Sequence, residues 1–419
     1  MPLLLFLLSS CSFGQANFLD SSTNKTAAKT STITLSGWES DPTEKQLLKE
    51  VLDDFMAHHP HIKVKYEVIT DQYMDVIKTR LIGGRAPDVF YLDGFEAPAL
   101  MNKGVLEPLD PYLTKEFDVA DFDPLLLNVF KYEGKTYGLP KDFSTLALLY
   151  NKKAFEKANI TEPPTTWSEF LEDARKLTID QNRDGKLDQF GFGVAPDLAR
   201  QTFMIKAFGG QLVDASGKAA FATEKGLRGL QLVIDQYQKD KSSVQPSDVG
   251  TSTGAEMFGQ EKVAMVIEGP WTLPYLKSTF PNLQFGTAEV PRVNGKPGTM
   301  VYTVAYVMNK QAKNKSAAWE LISYLTGKEG MKAWANKGLA LPTRHSVLTE
   351  FNNQREPLRS AFIAGMTYAT PWQAGESLPI IRDNFNNQFI SALLGQQSLP
   401  QAMKKAQETA NQAIRASQE

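Results

Sequence analysis

The chain has 419 residues, with 45 Lys and Arg against 47 Asp and Glu, four His and one Cys. A single cysteine excludes an internal disulfide and any cysteine-built metal cluster, and a net charge of −2 with both signs interspersed offers no basic face for nucleic acid. The length exceeds what one hydrophobic core ordinarily serves, which predicts two domains.

The chain opens on an apolar run, Leu3 to Leu8. It is too short to span a bilayer, which takes about 20 residues, and reads as the core of a secretory signal. Leu8-Ser9-Ser10-Cys11 then sets small residues before the lone cysteine. This resembles the bacterial lipobox, which implies lipidation of Cys11 at a new N-terminus. One departure is the missing basic start: the first positive residue is Lys25. Residues 1–11 are thus the expected lipoprotein signal peptide. Residues 12–31, small and polar, are the expected flexible tether.

In ITLSGWESDPTEKQLLKEVLDDFMAHHP, the alternation at Ile33 and Leu35 predicts a strand. Asp41 offers an N-cap, Pro42 suits the first helical position and Glu44 completes a capping box. Leu47, Leu48, Val51, Leu52, Phe55 and Met56 form one helical stripe, and Pro60 ends it. Ile62, Val64, Tyr66 and Val68 alternate as a second strand. A helix follows at 72–82, then the continuous apolar run Val89 to Leu92 of a doubly buried strand. Strand, helix, strand, helix, strand predicts parallel α/β. Further strands are expected at 144–151, 262–271 and 303–310, with a hairpin-like stretch at 134–140. Helices are expected near 152–158, 167–178, 224–240, 315–326, 328–337 and from 376 onward.

Two side-chain clusters invite a metal reading. In DQNRDGKLD, Asp180, Asn182 and Asp184 occupy positions 1, 3 and 5 of a calcium loop, with Gly185 at 6, the Lys186 carbonyl at 7 and Asp188 at 9. Position 12 is Gly191 where a bidentate Glu belongs, so a structural Ca2+ here needs a further ligand. In His58-His59-Pro60-His61, neighbours at a helix end are expected to point apart, which speaks against a metal. Cationic His also suits a helix C-terminus.

Six segments in order resemble the extracellular solute-binding proteins of ABC importers, the sugar-binding group that includes maltose-binding protein. They are APDVFYLDG with AL..KGVLEPL, GLP..FSTLALLYNKKAF, WSEFLEDARKLT, AMVIEGPW, AWELISYLTGKEGMKAWANKGLALPTRHSV and the end LLGQQSLPQAMKKA. The resemblance implies a periplasmic binding protein-like α/β fold: two discontinuous lobes joined by a multi-crossing hinge, with ligand in the interlobe cleft. Lobe 1 would hold 32–141 and 303–352, and lobe 2 would hold 142–302 and 353–419. Ligands of open α/β sheets sit outside the carboxyl ends of strands.

Sugars present C–H faces and hydroxyl rims, so their sites combine aromatic plates with carboxylates, amides and Arg. On that chemistry and the resemblance, the expected ligand contacts are Trp38, Glu39 and Ser40 after the first strand, and Asp93 and Phe95 after the third. Asp142 and Ser144 lie at a crossing. Arg200 lies in the second lobe, and Trp271 ends the strand AMVIEGPW as the expected sugar plate. Tyr302 would narrow the cleft towards a short ligand. Arg344, Trp372 and Gln373 complete the set. The expected function is capture of a small glycoside or disaccharide by a monomeric, lipid-anchored protein at the periplasmic side of the membrane. No chemistry is done on the ligand, which passes to ABC permease subunits. KYEVITDQYMDVIKTRLIGG and DVFYLDGFEAPALMNKGVLEPLDPYL resemble cyanobacterial members that take up compatible solutes, which points to glucosylglycerol, sucrose or trehalose; maltose or maltodextrin is the alternative. A glycosidase would need two carboxylates drawn from Glu39, Asp93, Glu96 and Asp142. A further alternative is a binding protein for another ligand class, such as a polyamine, ferric ion or phosphate; neither the clustered tyrosines of ferric sites nor the glycine- and serine-rich helix starts of phosphate sites stand out.

Overall fold

In β1 (Ser31–Gly37) Ile33 and Leu35 are buried while Thr32 and Thr34 are exposed, the period-two pattern of a strand packed on one side. The computed structural model describes residues 30–39, 42–336, 340–353 and 356–417. The signal 1–11 with Cys11, nearly all of the tether, Ser40 and Asp41 lie outside the described residues. Among the described residues no helix is long and apolar enough to cross a membrane.

The helix Pro42–His58 leads to β2 (Ile62–Val68), and the helix Tyr73–Ile82 leads to β3 (Val89–Asp93). β1 pairs in parallel with both. A small hairpin, β4 (Lys131–Tyr132) and β5 (Lys135–Thr136), precedes the long β6 (Gly138–Thr145), every residue of which is buried. The chain then builds a second sheet from β7 (Ala147–Asn151), β8 (Phe190–Gly193), β9 (Ser243–Val244), β10 (Val263–Glu268) and β11 (Phe285–Ala288). It returns on β12 (Thr299–Met308), and β13 (Ala369–Pro371) adds a short edge. The first sheet runs β13-β12-β3-β1-β2 with β6 also on β12; the second runs β11-β7-β10-β8-β9.

Both sheets are mixed, where strand–helix alternation predicts parallel ones. β12 is antiparallel to β3 and β6, and β7 is antiparallel to β10 and β11. The reason is the route: strands arriving from the other lobe enter against the local direction.

The helices foreseen by apolar spacing are present at Lys152–Lys157, Trp167–Lys176, Glu224–Asp235, Lys315–Thr326 and Lys328–Ala335. The tail is two helices, Leu378–Leu393 and Leu399–Ala416. Trp167–Lys176 starts on a capping box: Thr166 Oγ1 accepts from Glu169 N at 3.3 Å, and Glu169 Oε2 accepts from Thr166 N at 3.0 Å. Three further helices, Leu198–Ala207, Thr272–Thr279 and Pro357–Gly365, are not foreseen by apolar spacing, although Asp197 caps the first by accepting from Arg200 N.

Each sheet has its own core, one around Leu35, Phe55, Phe90 and Leu321 and one around Leu148, Phe170, Phe192 and Phe385. A third cluster, with Phe143, Leu149, Val301, Leu341 and Phe362, lies under the crossing and draws on both. The crossing itself is narrow: Thr145 ends β6, Ala147 starts β7, and only Leu146 lies between. Thr299 closes that gap. Leu146 N donates to Thr299 Oγ1 at 3.2 Å, and Thr299 Oγ1 donates to Leu146 O at 2.8 Å. One buried hydroxyl thus serves both backbone groups of a residue that neither ladder serves. The near-isosteric Thr299→Val leaves both unpaired, a penalty of about 1–3 kcal/mol. We expect a lower thermal midpoint by calorimetry and faster amide exchange at Leu146; an unchanged midpoint and exchange rate would refute this account of the crossing.

Candidate ligand-binding site

A cavity of about 260 Å3 lies where the two sheets meet, at the carboxyl ends of β1 and β3. The first lobe contributes Trp38, Glu44, Asp93 and Trp334; the crossing contributes Lys141, Asp142, Ser144, Tyr302 and Val304; the second lobe contributes Trp271.

Trp38 follows directly on β1. Its ring meets Tyr73 at 5.0 Å and Tyr91 at 5.3 Å, both edge-on. The strand must end in glycine here, because a Cβ on Gly37 would lie 2.7 Å from the Tyr91 ring. Across the cavity Trp271 packs edge-on against Tyr302, ring centroids 5.8 Å apart. Its indole folds back over Gly269, where a Cβ would meet it at 2.1 Å. Gly269 therefore sets the pose of Trp271. Two aromatic plates thus face the cavity from opposite lobes.

Polar groups come from the crossing. The Asp142 carboxylate accepts from Lys141 Nζ and, at 3.0 Å, from Trp334 Nε1. Lys141 Nζ also lies 4.0 Å over the Trp334 ring and 4.7 Å over that of Tyr91. Ser144 sits opposite Tyr302 in the β6–β12 ladder. Tyr302 Oη is buried without a hydrogen-bond partner among the described residues. Such a group is satisfied by a ligand hydroxyl that reaches it. Burial pushes the Tyr302 phenol up, and the Arg200 guanidinium opposes that shift.

Sequence reasoning missed Glu44, Lys141 and Trp334. Glu44 carried a visible signal as a helix-start acid, and it is buried and lines the cavity. Trp334 sits on the helix Lys328–Ala335, where its ring reads as core.

Several expected contacts lie elsewhere. Arg344 is fully buried away from the cavity: it donates to Thr326 O at 2.7 Å, Asp118 O at 2.9 Å and Phe117 O at 3.0 Å, with Asp121 beside it. Its guanidinium carbon lies 4.7 Å from the Phe117 ring centroid and 4.2 Å from that of Phe122. With its donors spent it is a brace of the first lobe, so the expected ligand contact is corrected. Trp372 is buried in the second lobe's core, its ring 6.3 Å from that of Phe95. Phe95 in turn lies 4.9 Å from the Arg382 guanidinium. Gln373 Nε2 donates to Val129 O at 3.0 Å. Phe95, Trp372 and Gln373 therefore tie the lobes together beside the cavity. Arg200 donates to Asp197 at 3.0 Å and Glu268 at 2.6 Å, while its Nε is buried without a partner among the described residues. Glu39 lies half-buried next to Trp38; burial, and then the charges of Glu39 and Glu44, raise the nearby Tyr66 phenol. Ser40 lies outside the described residues.

The loop 180–188 lies between the helix Trp167–Lys176 and β8, with Asp180 half-buried and 181–188 exposed. Asp180 accepts from Arg183 N at 2.7 Å and Gly185 N at 2.9 Å, and Asp188 accepts from Gln181 N at 2.7 Å. Asn182 and Asp184 cap one another's turn, with Lys186 N on Asp184 at 2.8 Å. Gly185 has φ 88°, which favours glycine there. The donor set suits Ca2+, yet the acids are engaged with the loop's own N–H groups, so the fit is partial.

Asp93 accepts from Phe95 N at 3.2 Å. Loss of hydration pushes its carboxyl up to about 7, against the Phe95 N–H, with Glu96 adding to the rise. The folded chain then holds this proton more tightly than the unfolded chain, whose Asp titrates near about 3.9. The corresponding stability is fully present below about pH 4 and is lost as pH rises through about 7. Asp93→Asn should flatten the fall in thermal midpoint between those limits; an identical pH profile in the variant would contradict the assignment.

Comparison with known proteins agrees with this architecture. A binding protein of Brucella abortus is 28% identical over 287 residues, covering 67% of this chain and 68% of its own. A solute-binding protein of an ABC transporter from Thermotoga lettingae, bound with α-D-tagatose, superposes with a TM-score of 0.81 at 27% identity, covering 91% of this chain and 99% of its own. A maltose/maltodextrin-binding domain from Bdellovibrio bacteriovorus, bound to maltotriose, gives 0.80 at 26%, covering 92% and 100%. The family model for bacterial extracellular solute-binding proteins matches residues 39–332, and the chain belongs to that family.

Proposed function

We propose that this chain captures a short sugar or glycoside in the interlobe cavity and delivers it to the permease of an ABC importer. The observation that carries the reading is the facing pair Trp38 and Trp271 with Asp93, Asp142, Ser144 and the unpartnered Tyr302 hydroxyl between them. Aromatic plates cover sugar C–H faces, and the polar groups read hydroxyls. The sugars held by the two similar structures support the same ligand class. A volume of about 260 Å3 lies just below the usual range of about 300–1,000 Å3. That favours a short ligand such as glucosylglycerol, sucrose or trehalose over a long maltodextrin. A glycosidase needs a free base beside its acid, and Asp142 is held by both Lys141 and Trp334. In this reading the protein works as a monomer outside the cytoplasm, anchored by a lipid on Cys11.

A thermal-shift panel with glucosylglycerol, sucrose, trehalose, maltose, maltotriose and tagatose tests this. A ligand at 100 times its Kd adds about 2.7 kcal/mol to stability. One short sugar should raise the midpoint, and Trp271→Ala should cost about 2 kcal/mol, or roughly thirtyfold in Kd. Maltotriose alone shifting the midpoint would favour the maltodextrin alternative, and no shift with any sugar would sink the carbohydrate reading.

We read the loop 180–188 as a structural calcium loop of the second lobe, with Asp180, Asn182, Asp184, Asp188 and the Lys186 carbonyl as its oxygen donors. Added Ca2+ should raise the midpoint and EDTA should reverse the rise; equal midpoints would remove calcium from the account.

A further inference from the structure

The fold brings His59 and His61 together, against the expectation that neighbouring imidazoles at a helix end point apart. His59 N donates to Phe55 O at 2.9 Å, and Ile62 N donates to His59 O at 2.9 Å, turning the chain tightly over Pro60 into β2. That turn sets the two rings side by side, centroids 6.0 Å apart. Glu320 reaches them from the helix Lys315–Thr326. Its Oε2 lies 3.2 Å from His59 Nδ1 and 3.1 Å from His61 Nε2. Among the described residues this is the group of three imidazole and carboxylate donors whose ligand atoms all lie within 4.8 Å of one another.

We propose that His59, His61 and Glu320 form a binding site for a divalent transition metal of the Zn2+ class. Two imidazole nitrogens and one carboxylate oxygen suit Zn2+, Ni2+ or Cu2+, whereas Ca2+ and Mg2+ prefer all-oxygen sets. Metal–ligand bonds of about 2.0–2.1 Å set tetrahedral ligand–ligand edges of about 3.3 Å. The two nitrogen–oxygen distances of 3.2 and 3.1 Å already approach that spacing. The surroundings hold the donors in place. The His59 ring stacks on Phe55 with centroids 4.5 Å apart, and Tyr324 meets both rings, 5.2 Å from Phe55 and 6.3 Å from His59. Tyr324 is itself fixed by Asp54. Asn314, which caps the Glu320 helix, donates to Ser31 Oγ at 2.7 Å, and Ser31 N donates to His61 O at 2.9 Å. The side chains are 29%, 47% and 34% exposed for His59, His61 and Glu320, so a fourth position faces water. A metal here ties the end of the first long helix and the start of β2 to a helix more than 250 residues further on. Ser31 pairs with Ile62 at the amino end of β1, whereas the ligand cavity opens past its carboxyl end, about 20 Å away at strand spacing. Metal and sugar therefore bind independently.

The test is calorimetric titration of the untagged full chain with Zn2+ after removal of metals by chelator, together with Co2+ absorption spectra. We expect one Zn2+ per chain and intense visible Co2+ bands of a four-coordinate site. His61→Ala and Glu320→Gln should each weaken binding by about tenfold or more, and His58→Ala should leave it unchanged. His61 is the most exposed of the three, so its variant retains the fold, which an unchanged sugar-induced thermal shift confirms. Absence of binding at about 100 μM Zn2+, or equal affinity in the His59→Ala/His61→Ala double variant, would overturn the proposal.

Discussion

The antiparallel ladder between β6 and β12 is the constraint on which the rest of the molecule depends. It pairs Val301 with Thr145 and Val307 with Gly138, so two segments about 160 residues apart share one register. Asp142, Ser144, Tyr302 and Val304 reach the cavity because they sit on this ladder. The register shifts between Val304 and Ala305, opposite Asp142 and Pro140. Thr303 Oγ1 donates to the Asp142 carbonyl at 2.9 Å, and Thr343 Oγ1 donates to that of Pro140 at 2.6 Å. Threonine hydroxyls thus serve backbone groups where the ladder is irregular, as Thr299 does at Leu146. A bulge at a site is a common means of re-aiming side chains, and here it falls beside Asp142. Hinge closure needs a few residues that absorb rotation while both sheets stay intact. Leu146 and the stretch before Thr299 lie outside both ladders.

Around this ladder the charges are arranged for recognition. Lys141 and Asp142 neutralise one another, and the Trp334 N–H takes part of the Asp142 acceptor capacity. Buried charges without such partners would be costly. Asp93 accepts from the Phe95 N–H, and among the described residues no cation lies at salt-bridge distance from it; burial raises its carboxyl. The cavity therefore offers an adjustable acid from one lobe and a held ion pair from the crossing. Together they present both donors and acceptors to the cavity.

The sequence made the strands and their ends legible. Alternation and apolar runs locate β1, β2, β3, β10 and β12, and the residues just past or on them, Trp38, Asp93, Trp271 and Tyr302, line the cavity together with Asp142 and Ser144 of β6. What stayed hidden depends on contacts distant in sequence. Arg344 carries the same side chain whether it meets a sugar or braces a loop; only the carbonyls of Phe117, Asp118 and Thr326 decide, and none is local to it. Glu44 and Trp334 sit on helices, where a cap and a core stripe account for them without a ligand. Parallel pairing follows from βαβ order within a lobe but fails at the crossing, because order alone does not say from which lobe a strand arrives. His59 and His61 meet because a turn over Pro60 overrides helical spacing, and that turn needs β2 paired on β1 to be fixed.

The central claim is that a sugar is held between two lobes that close on the β6–β12 crossing. Small-angle X-ray scattering of the chain with and without saturating sugar, on samples whose occupancy calorimetry has established, tests it most directly. The account predicts a smaller radius of gyration in the bound state. Sugar bound with an unchanged scattering profile would contradict it, because the ligand would then sit on one lobe alone.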